Sequence, residues 1–247
     1  MADPIAVILA AGKGTRMKSD LPKVLCEVMG RAMIQFVVDA LEESGFREKV
    51  VVVGYQAEKV VKELSHRENI RFVLQEEQLG TGHAVMVCRD EIGGHDGPLL
   101  VVAGDSPLIQ VSSLTNLLEH FRQEKPACLL GTLKKEDPFG LGRIVRDENG
   151  DFVGVVEEKD ATEDQRKITE VNMSTYVFDT QALLKVLSSP KNQNSQGEYY
   201  ITDCPGLLLK EGKKVEALPV LKTCESLSIN TVEELAIVEA EMQQRGS

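Results

Sequence analysis

The sequence lacks the patterns that mark an extracellular or a membrane protein. Its five cysteines are scattered and odd in number, and no C-x-x-C occurs, which argues for reduced thiols rather than a disulfide framework or a zinc site. No apolar run reaches the length of a transmembrane helix. The N-terminus shows no signal peptide, because Asp3 and Pro4 precede an apolar run that is too short. We therefore expect a cytoplasmic protein.

The chain also contains fewer basic than acidic residues. The chain has 28 Lys and Arg against 39 Asp and Glu, a formal net charge of −11. Such a surface repels nucleic acids and anionic membranes, so we expect neither as a partner. A small anionic ligand would need a local basic pocket or a metal ion. Internal repeats, low-complexity tracts and clear linkers are absent, and we expect a single domain over residues 1–247.

Short apolar runs alternate with segments of helical spacing in the first half of the chain. Strands are predicted at 5–9, 49–53, 70–74 and 99–103, and helices at 32–44, 58–64, 81–89 and 112–123. Further strands are predicted at 127–133, 142–145, 152–157, 171–178 and 214–218, with helices at 180–187, 200–209 and after a capping box at 231–234. This alternation indicates an α/β fold with a mixed, mostly parallel central sheet flanked by helices.

A glycine-rich segment follows the first predicted strand and carries concentrated positive charge. Gly12 and Gly14 permit a close backbone approach to a ligand, and Lys13, Arg16 and Lys23 surround them. Successive N–H groups in such a turn form an anion-binding concavity. The segment therefore predicts a phosphate or polyphosphate site, although a strand-to-helix turn with incidental charges is the plain structural alternative.

Two common glycine-loop motifs do not fit this segment. The dinucleotide motif G-x-G-x-x-G requires a third glycine where Met17 stands, and the Walker A motif G-x-x-x-x-G-K-[ST] is absent. A third pattern, the nucleotidyltransferase signature L-x-x-G-x-G-x-R-M followed by P-K, fits at every fixed position. Those positions are Leu9, Gly12, Gly14, Arg16, Met17, Pro22 and Lys23.

Polar residues also follow later predicted strands. Gln75 and Gln78 follow the third strand, and a primary amide can match the edge of a pyrimidine. Asp105 follows the fourth strand, and one carboxylate at a strand tip suits Mg²⁺, which keeps few protein ligands. On the residues alone, a turn with a helix cap explains the first segment slightly better than a base site does, and an Asx turn or a helix cap explains Asp105 equally well.

Taken together, these motifs resemble the uridylyltransferase (pyrophosphorylase) domain of N-acetylglucosamine-1-phosphate uridylyltransferases, within the sugar-phosphate nucleotidyltransferase superfamily. The resemblance extends from about Pro4 to the C-terminal helix. It implies a Rossmann-like nucleotidyltransferase fold with a nucleotide-binding half at about 1–125, a sugar-binding half at about 126–230 and a last helix at 231–246. The implied reaction is transfer of UMP from UTP to N-acetylglucosamine 1-phosphate, which gives UDP-N-acetylglucosamine, a cell wall precursor, and pyrophosphate by Mg²⁺-dependent in-line displacement.

The resemblance also implies roles for individual residues. Arg16 and Lys23 would be catalytic, and Asp105 and Asn230 would bind Mg²⁺. The nucleotide would be bound by Leu9, Ala10, Ala11, Gly12, Gly14, Gln75, Gln78, Gly80 and Thr81. The sugar phosphate would be bound by Gly142, Glu157, Asn172, Tyr199 and Thr202. These residues lie within G-L-G-R-I at 140–144, V-E-E-K at 156–159, E-V-N-M-S at 170–174 and G-E-Y-Y-I-T-D at 197–203.

The sequence departs from the family pattern at three positions. Ala103 stands where many members have tyrosine, and Ser174 and Ser228 replace glycines. Two alternative functions stay open: a uridylyl- or thymidylyltransferase for another hexose 1-phosphate, and a non-catalytic nucleotide-sugar-binding protein. Many relatives carry a C-terminal acetyltransferase domain with hexapeptide repeats, and because no such repeats occur here we do not expect acetyl transfer.

Overall fold

A computed structural model describes residues 2–14, 20–227, 229 and 231–246 of the chain. Its strands are β1 (Ile5–Ala10), β2 (Glu27–Val28), β3 (Arg31–Ala32), β4 (Glu48–Val53), β5 (Ile70–Leu74), β6 (Pro98–Ala103), β7 (Cys128–Lys134), β8 (Gly142–Arg146), β9 (Phe152–Val156), β10 (Glu170–Asp179) and β11 (Val215–Leu218). Its α-helices are α1 (Met33–Glu43), α2 (Ala57–Glu63), α3 (Thr81–Met86), α4 (Arg89–Ile92), α5 (Val111–Glu124), α6 (Glu163–Arg166), α7 (Thr180–Val186), α8 (Asp203–Lys210) and α9 (Val232–Gly246).

A nine-stranded mixed sheet forms the centre of the protein, in the order β11-β7-β10-β6-β1-β4-β5, with the β8–β9 hairpin attached to β10. β1 pairs in parallel with β4 and β6, and β4 pairs in parallel with β5. β10 runs antiparallel to both β6 and β7, while β11 is parallel to β7. The predicted α/β fold with a mixed, mostly parallel sheet is confirmed.

Helices cover both faces of the sheet, so β1 is apolar along its whole length. Val7 and Ile8 are fully buried on opposite faces, as expected for a central parallel strand. On the face of Ile8, the core includes Ile34 of α1 and Leu114 of α5. On the face of Val7, it includes Val85 of α3, Leu183 of α7 and Leu208 of α8. Within the described ranges, no helix is both long and apolar enough to cross a bilayer.

Two helix predictions differ from the structure. The helix expected over 81–89 is two short helices, α3 and α4, separated at Val87 and Cys88. The helix expected over 200–209 begins later, as α8 at Asp203, which places Pro205 in the first turn. Proline is tolerated there because the first helical N–H groups have no intrahelical acceptor.

Candidate active site

A cavity of about 290 Å³ opens at the carboxyl ends of β1, β5 and β6. Its lining includes many of the residues that are expected to act in catalysis or to bind the nucleotide and the metal: Leu9, Ala11, Gly12, Lys23, Gln75, Gln78, Gly80, Thr81 and Asp105. In open α/β sheets, ligands bind at this edge because loops from adjacent strands converge there. The sheet topology thus brings together segments that are far apart along the chain.

The glycine loop after β1 forms one wall of this cavity. Ala10 is buried in the core behind the loop, and the carbonyl of Ala11 accepts a hydrogen bond from Tyr55 N at 3.0 Å. Gly14 has a φ of +66°, and a Cβ there would lie 2.6 Å from Cβ of Lys23. Glycine at position 14 therefore lets the loop pack against the segment that carries Lys23. Arg16 lies outside the described residues.

Lys23 and Asp105 form an ion pair at the cavity wall, with 2.6 Å between Nζ and Oδ2. Asp105 reaches this position because Gly104 N donates a hydrogen bond to the Leu9 carbonyl at 2.9 Å, which holds the end of β6 against that of β1. A Cβ at Gly104 would lie 3.0 Å from that carbonyl oxygen. The side chains are 18% and 28% exposed, so both groups remain accessible to a ligand.

The donor set at the cavity fits Mg²⁺ bound together with phosphates. In the part of the chain that the structure describes, no group of three or more acidic, histidine or cysteine side chains forms a preassembled metal site. Mg²⁺ commonly takes one or two protein carboxylates and fills its octahedral shell with phosphate oxygens and water. Asp105 supplies one such carboxylate. Asn230, the second predicted ligand, lies outside the described residues.

The side chain of Gln75 is almost completely buried and held in one orientation. Its Nε2 donates to the Gly80 carbonyl at 3.1 Å and lies 3.0 Å from Nδ1 of His83. Gln78 Nε2 donates to the Gln75 carbonyl at 3.1 Å. The two amides, expected to match a pyrimidine edge, therefore share one wall of the cavity with Gly80.

The segment at 79–82 is hydrogen-bonded to the segment at 199–201. Tyr199 N donates to the Leu79 carbonyl at 2.8 Å, and Gly82 N donates to the Tyr199 carbonyl at 2.7 Å. The Thr81 hydroxyl accepts from Ile201 N at 3.2 Å. Gly80 has a φ of +105°, and a Cβ there would lie 2.6 Å from the Tyr199 carbonyl oxygen. The backbone of Tyr199 therefore holds the segment at 79–82 in place through direct hydrogen bonds.

Four of the residues assigned to the sugar phosphate lie together beside β8 and β9. Gly142 pairs with Asn172 across the sheet, and a Cβ at Gly142 would lie 3.4 Å from Oε2 of Glu157. Oε1 of Glu157 accepts from the Thr202 hydroxyl at 3.2 Å. Asn172 Nδ2 donates to the Tyr176 hydroxyl at 2.7 Å. Glu157 and Thr202 also line a second cavity of about 450 Å³.

The carboxyl group of Glu157 has an altered acidity. Burial raises its pKa, the hydrogen bond from Thr202 opposes this shift, and the nearby carboxylates of Asp160 and Asp203 add to it. A partly buried carboxylate of this kind is a strong acceptor for hydroxyl groups, because little water competes for its oxygens. Glu157 is therefore suited to accept hydrogen bonds from a polyol.

The sequence did not identify all of the residues that line the first cavity. Val24, Ala84, Ala103, Ser174 and Glu198 also contribute to its wall. Ser174 has a φ of +52° and lies where the pairing of β10 with β7 is interrupted by a bulge. The serine at the glycine position of the E-V-N-M-S stretch marks this point, and Glu198 lies within the G-E-Y-Y-I-T-D stretch without having been assigned a role.

Comparison with known proteins identifies the family to which the chain is similar. The Nucleotidyl transferase family model matches residues 5–222. The chain is 44% identical over 240 residues to the Bifunctional protein GlmU of Streptococcus mutans and 42% identical over 245 residues to that of Halalkalibacterium halodurans. These alignments cover 97% and 99% of this chain but 52% and 53% of the relatives. The chain thus spans about half the length of the curated relatives it matches.

Solved structures of low sequence identity share the fold. A UDP-glucose pyrophosphorylase complexed with UDP-glucose aligns with a TM-score of 0.77 at 19% identity, over 99% of this chain and 100% of that one. A putative glucose-1-phosphate thymidylyltransferase from Bacillus anthracis aligns with a TM-score of 0.79 at 20% identity, over 96% and 94% of the two chains. On the match of the family model to most of its length, the chain belongs to the nucleotidyl transferase family.

Proposed function

We propose that the protein transfers UMP from UTP to N-acetylglucosamine 1-phosphate and releases UDP-N-acetylglucosamine and pyrophosphate. The observation that carries this proposal is the cavity in which the Lys23–Asp105 ion pair faces the buried amide of Gln75. A cation for phosphoryl groups, a carboxylate for a metal ion and an amide for a base then share one site. The GlmU proteins at 42–45% identity support the same assignment.

The uracil base would lie against Gln75 and Gln78. Both N–H groups of the Gln75 amide are already directed at Gly80 and His83, so its Oε1 is the atom left to accept from N3–H of uracil. Gly80 and Thr81 bring the backbone close beneath the base. The base would therefore be recognised by a rigid wall rather than by a side chain that must be ordered on binding.

The triphosphate would lie along the loop after β1. The N–H groups at Gly12 and Gly14, together with Arg16, would bind the β- and γ-phosphates that leave as pyrophosphate. A phosphate oxygen of the sugar phosphate attacks the α-phosphorus of UTP, the new phosphorus–oxygen bond forms, and the bond from that phosphorus to the bridging oxygen of pyrophosphate breaks. Direct displacement needs no residue as nucleophile, so the protein acts by positioning and by charge stabilisation.

Lys23 would exchange its partner during this reaction. In the structure its ammonium neutralises Asp105, and in the complex it would neutralise the non-bridging oxygens of the transferred phosphoryl group. Mg²⁺ held by Asp105 and Asn230 would supply further positive charge to the phosphates of both substrates. Asp105 would then be released from the ion pair to act as a metal ligand.

The acceptor sugar would lie against β8, β9 and the start of α8. Glu157 would accept hydrogen bonds from sugar hydroxyls, Gly142 would allow the ring to approach the backbone, and Asn172 and Thr202 would complete the contact. Tyr199 would border the acetamido group. In this arrangement residues at about 1–125 bind the nucleotide and residues at about 126–230 bind the sugar phosphate.

The cytoplasm is the location that we propose for this reaction. All five cysteines are among the described residues, all are buried, and no disulfide joins any of them. Such thiols persist in a reducing compartment.

A substrate panel tests the proposed function. We expect pyrophosphate release from UTP and N-acetylglucosamine 1-phosphate, with a requirement for Mg²⁺, and much slower release with glucose 1-phosphate or dTTP. Preference for glucose 1-phosphate would assign the protein to another hexose 1-phosphate. No release with any pair would indicate a non-catalytic nucleotide-sugar-binding protein.

Gln75→Ala is expected to raise the KM for UTP by about tenfold or more, because it removes an acceptor from the base and leaves buried groups without partners. The KM for the sugar phosphate should change much less. Steady-state kinetics with each substrate varied in turn measure both effects. An increase confined to the KM for the sugar phosphate would show that the base pocket is elsewhere.

Gly142→Ala is expected to raise the KM for the sugar phosphate by at least about tenfold, because the added methyl group would occupy the space between Glu157 and Asn172. The KM for UTP should stay near its original value. Gly94→Ala is the matched control, since a Cβ at Gly94 meets no heavy atom within 4 Å. Equal effects of the two substitutions would show that Gly142 does not contact the sugar phosphate.

A further inference from the structure

Two hydrogen-bonding contacts fix the orientation of the Gln75 amide. Gln75 Nε2 lies 3.1 Å from the Gly80 carbonyl oxygen and 3.0 Å from Nδ1 of His83. A main-chain carbonyl can only accept, so the atom facing Gly80 is the amide nitrogen whatever His83 does. The second N–H of that amide points to His83, and Nδ1 must therefore be the acceptor.

This arrangement leaves one hydrogen-bonding atom of Gln75 for a ligand. The side chain lines the cavity and is only 3% exposed, so it is held in the wall rather than in solvent. With both N–H groups engaged, Oε1 is a pure acceptor. An acceptor matches a base that carries a ring N–H, such as N3–H of uracil. It opposes the lone pair at N3 of cytosine.

We infer that His83 is a positioning residue for the base specificity of the site: its Nδ1 accepts the second N–H of the Gln75 amide and, together with the Gly80 carbonyl, holds the amide oxygen toward the base. This inference rests on the proposed function, in which the cavity binds the base of UTP. His83 itself needs no contact with the nucleotide. Its effect passes through one hydrogen bond, which the Gly80 carbonyl reinforces from the other side.

Two substitutions separate this role from simple space filling. His83→Asn places an amide oxygen near the position of Nδ1 and so retains an acceptor for Gln75. His83→Leu fills a similar volume and provides none. In the leucine variant we expect the ratio of kcat/KM for UTP to that for CTP to fall about fivefold, the effect of one lost hydrogen bond. The asparagine variant should stay within about twofold of the original ratio.

The expected change in the leucine variant lies in the KM for the nucleotide rather than in kcat, since in the proposed complex Gln75 contacts the base and not the reacting phosphates. Equal ratios in the two variants, whether both reduced or both unchanged, would overturn the inference. His83→Ala replaces the leucine variant in the comparison if thermal unfolding shows that leucine is not accommodated.

The inference and the proposed function can fail separately. If the unmodified protein releases no pyrophosphate, the proposed function fails, and calorimetric Kd values for UTP and CTP in the same proteins take the place of kcat/KM. A Kd ratio that falls with leucine and not with asparagine still supports the role of His83. Equal Kd ratios in the two variants, or no binding of either nucleotide by the unmodified protein, overturn it.

Discussion

Replacing Lys23 with alanine is expected to lower kcat for pyrophosphate release by about 10²- to 10³-fold, the usual effect of removing one preorganised charge from a transition state. The Lys23 ammonium lies 2.6 Å from Asp105 at the cavity wall, and in the proposed complex it would contact the transferred phosphoryl group. The positive charge of Lys23 would stabilise most strongly the negative charge that develops as the leaving oxygen departs. We therefore expect kcat to fall far more than KM rises. Steady-state kinetics at saturating UTP and sugar phosphate measure the effect.

Lys214→Ala is the matched control for this substitution. Lys214 also forms ion pairs with carboxylates, those of Glu124 and Glu216. It lies next to β11, the edge strand that β7 and β10 separate from β6. The Lys214→Ala protein should fold normally, because exposed ion pairs contribute little to the free energy of folding, and its kcat should stay within about twofold of the original. Near-normal turnover of the Lys23→Ala protein would exclude Lys23 from the chemical step.

Asp105→Asn is expected to reduce turnover by a similar factor, about 10²- to 10³-fold, through a different cause. The substitution keeps the size of the side chain but removes the negative charge that a hard cation such as Mg²⁺ prefers. We therefore expect the Mg²⁺ concentration for half-maximal activity to rise, and high Mg²⁺ to restore part of the activity. Titration of pyrophosphate release with Mg²⁺ measures this requirement.

Asp39→Asn is the matched control for Asp105→Asn. Asp39 also forms ion pairs, with Arg31 and Arg67, on the surface of α1. The Mg²⁺ requirement of that variant should match the unmodified protein. An unchanged requirement in Asp105→Asn would mean that this carboxylate does not bind the metal. Since Lys23 and Asp105 are in contact, the effects of the two substitutions should not add in the double variant.

Local signals in the sequence predicted most of the secondary structure. The alternation of apolar runs with helical spacing placed β1, β4, β5 and β6 within one residue of their observed ends, because a buried parallel strand is apolar on both faces. The break between α3 and α4 was not predicted, since an apolar helical spacing continues across Val87 and Cys88. The direction of β10 and the bulge at Ser174 were not predicted either, because strand pairing depends on distant partners.

The candidate site also has a part that the sequence predicted and a part that it did not. The sequence by itself placed the glycine loop, Gln75 and Asp105 directly after predicted strands, because apolar runs mark where buried strands end. Their expected roles came from the family resemblance, since a turn or a helix cap fits the same residues. Only the tertiary structure decided which atoms meet. The ion pair of Lys23 with Asp105 depends on the close approach of Gly104 to β1, and the orientation of the Gln75 amide depends on Gly80 and His83. Such contacts form between segments that pairing and packing bring together, so no local pattern contains them.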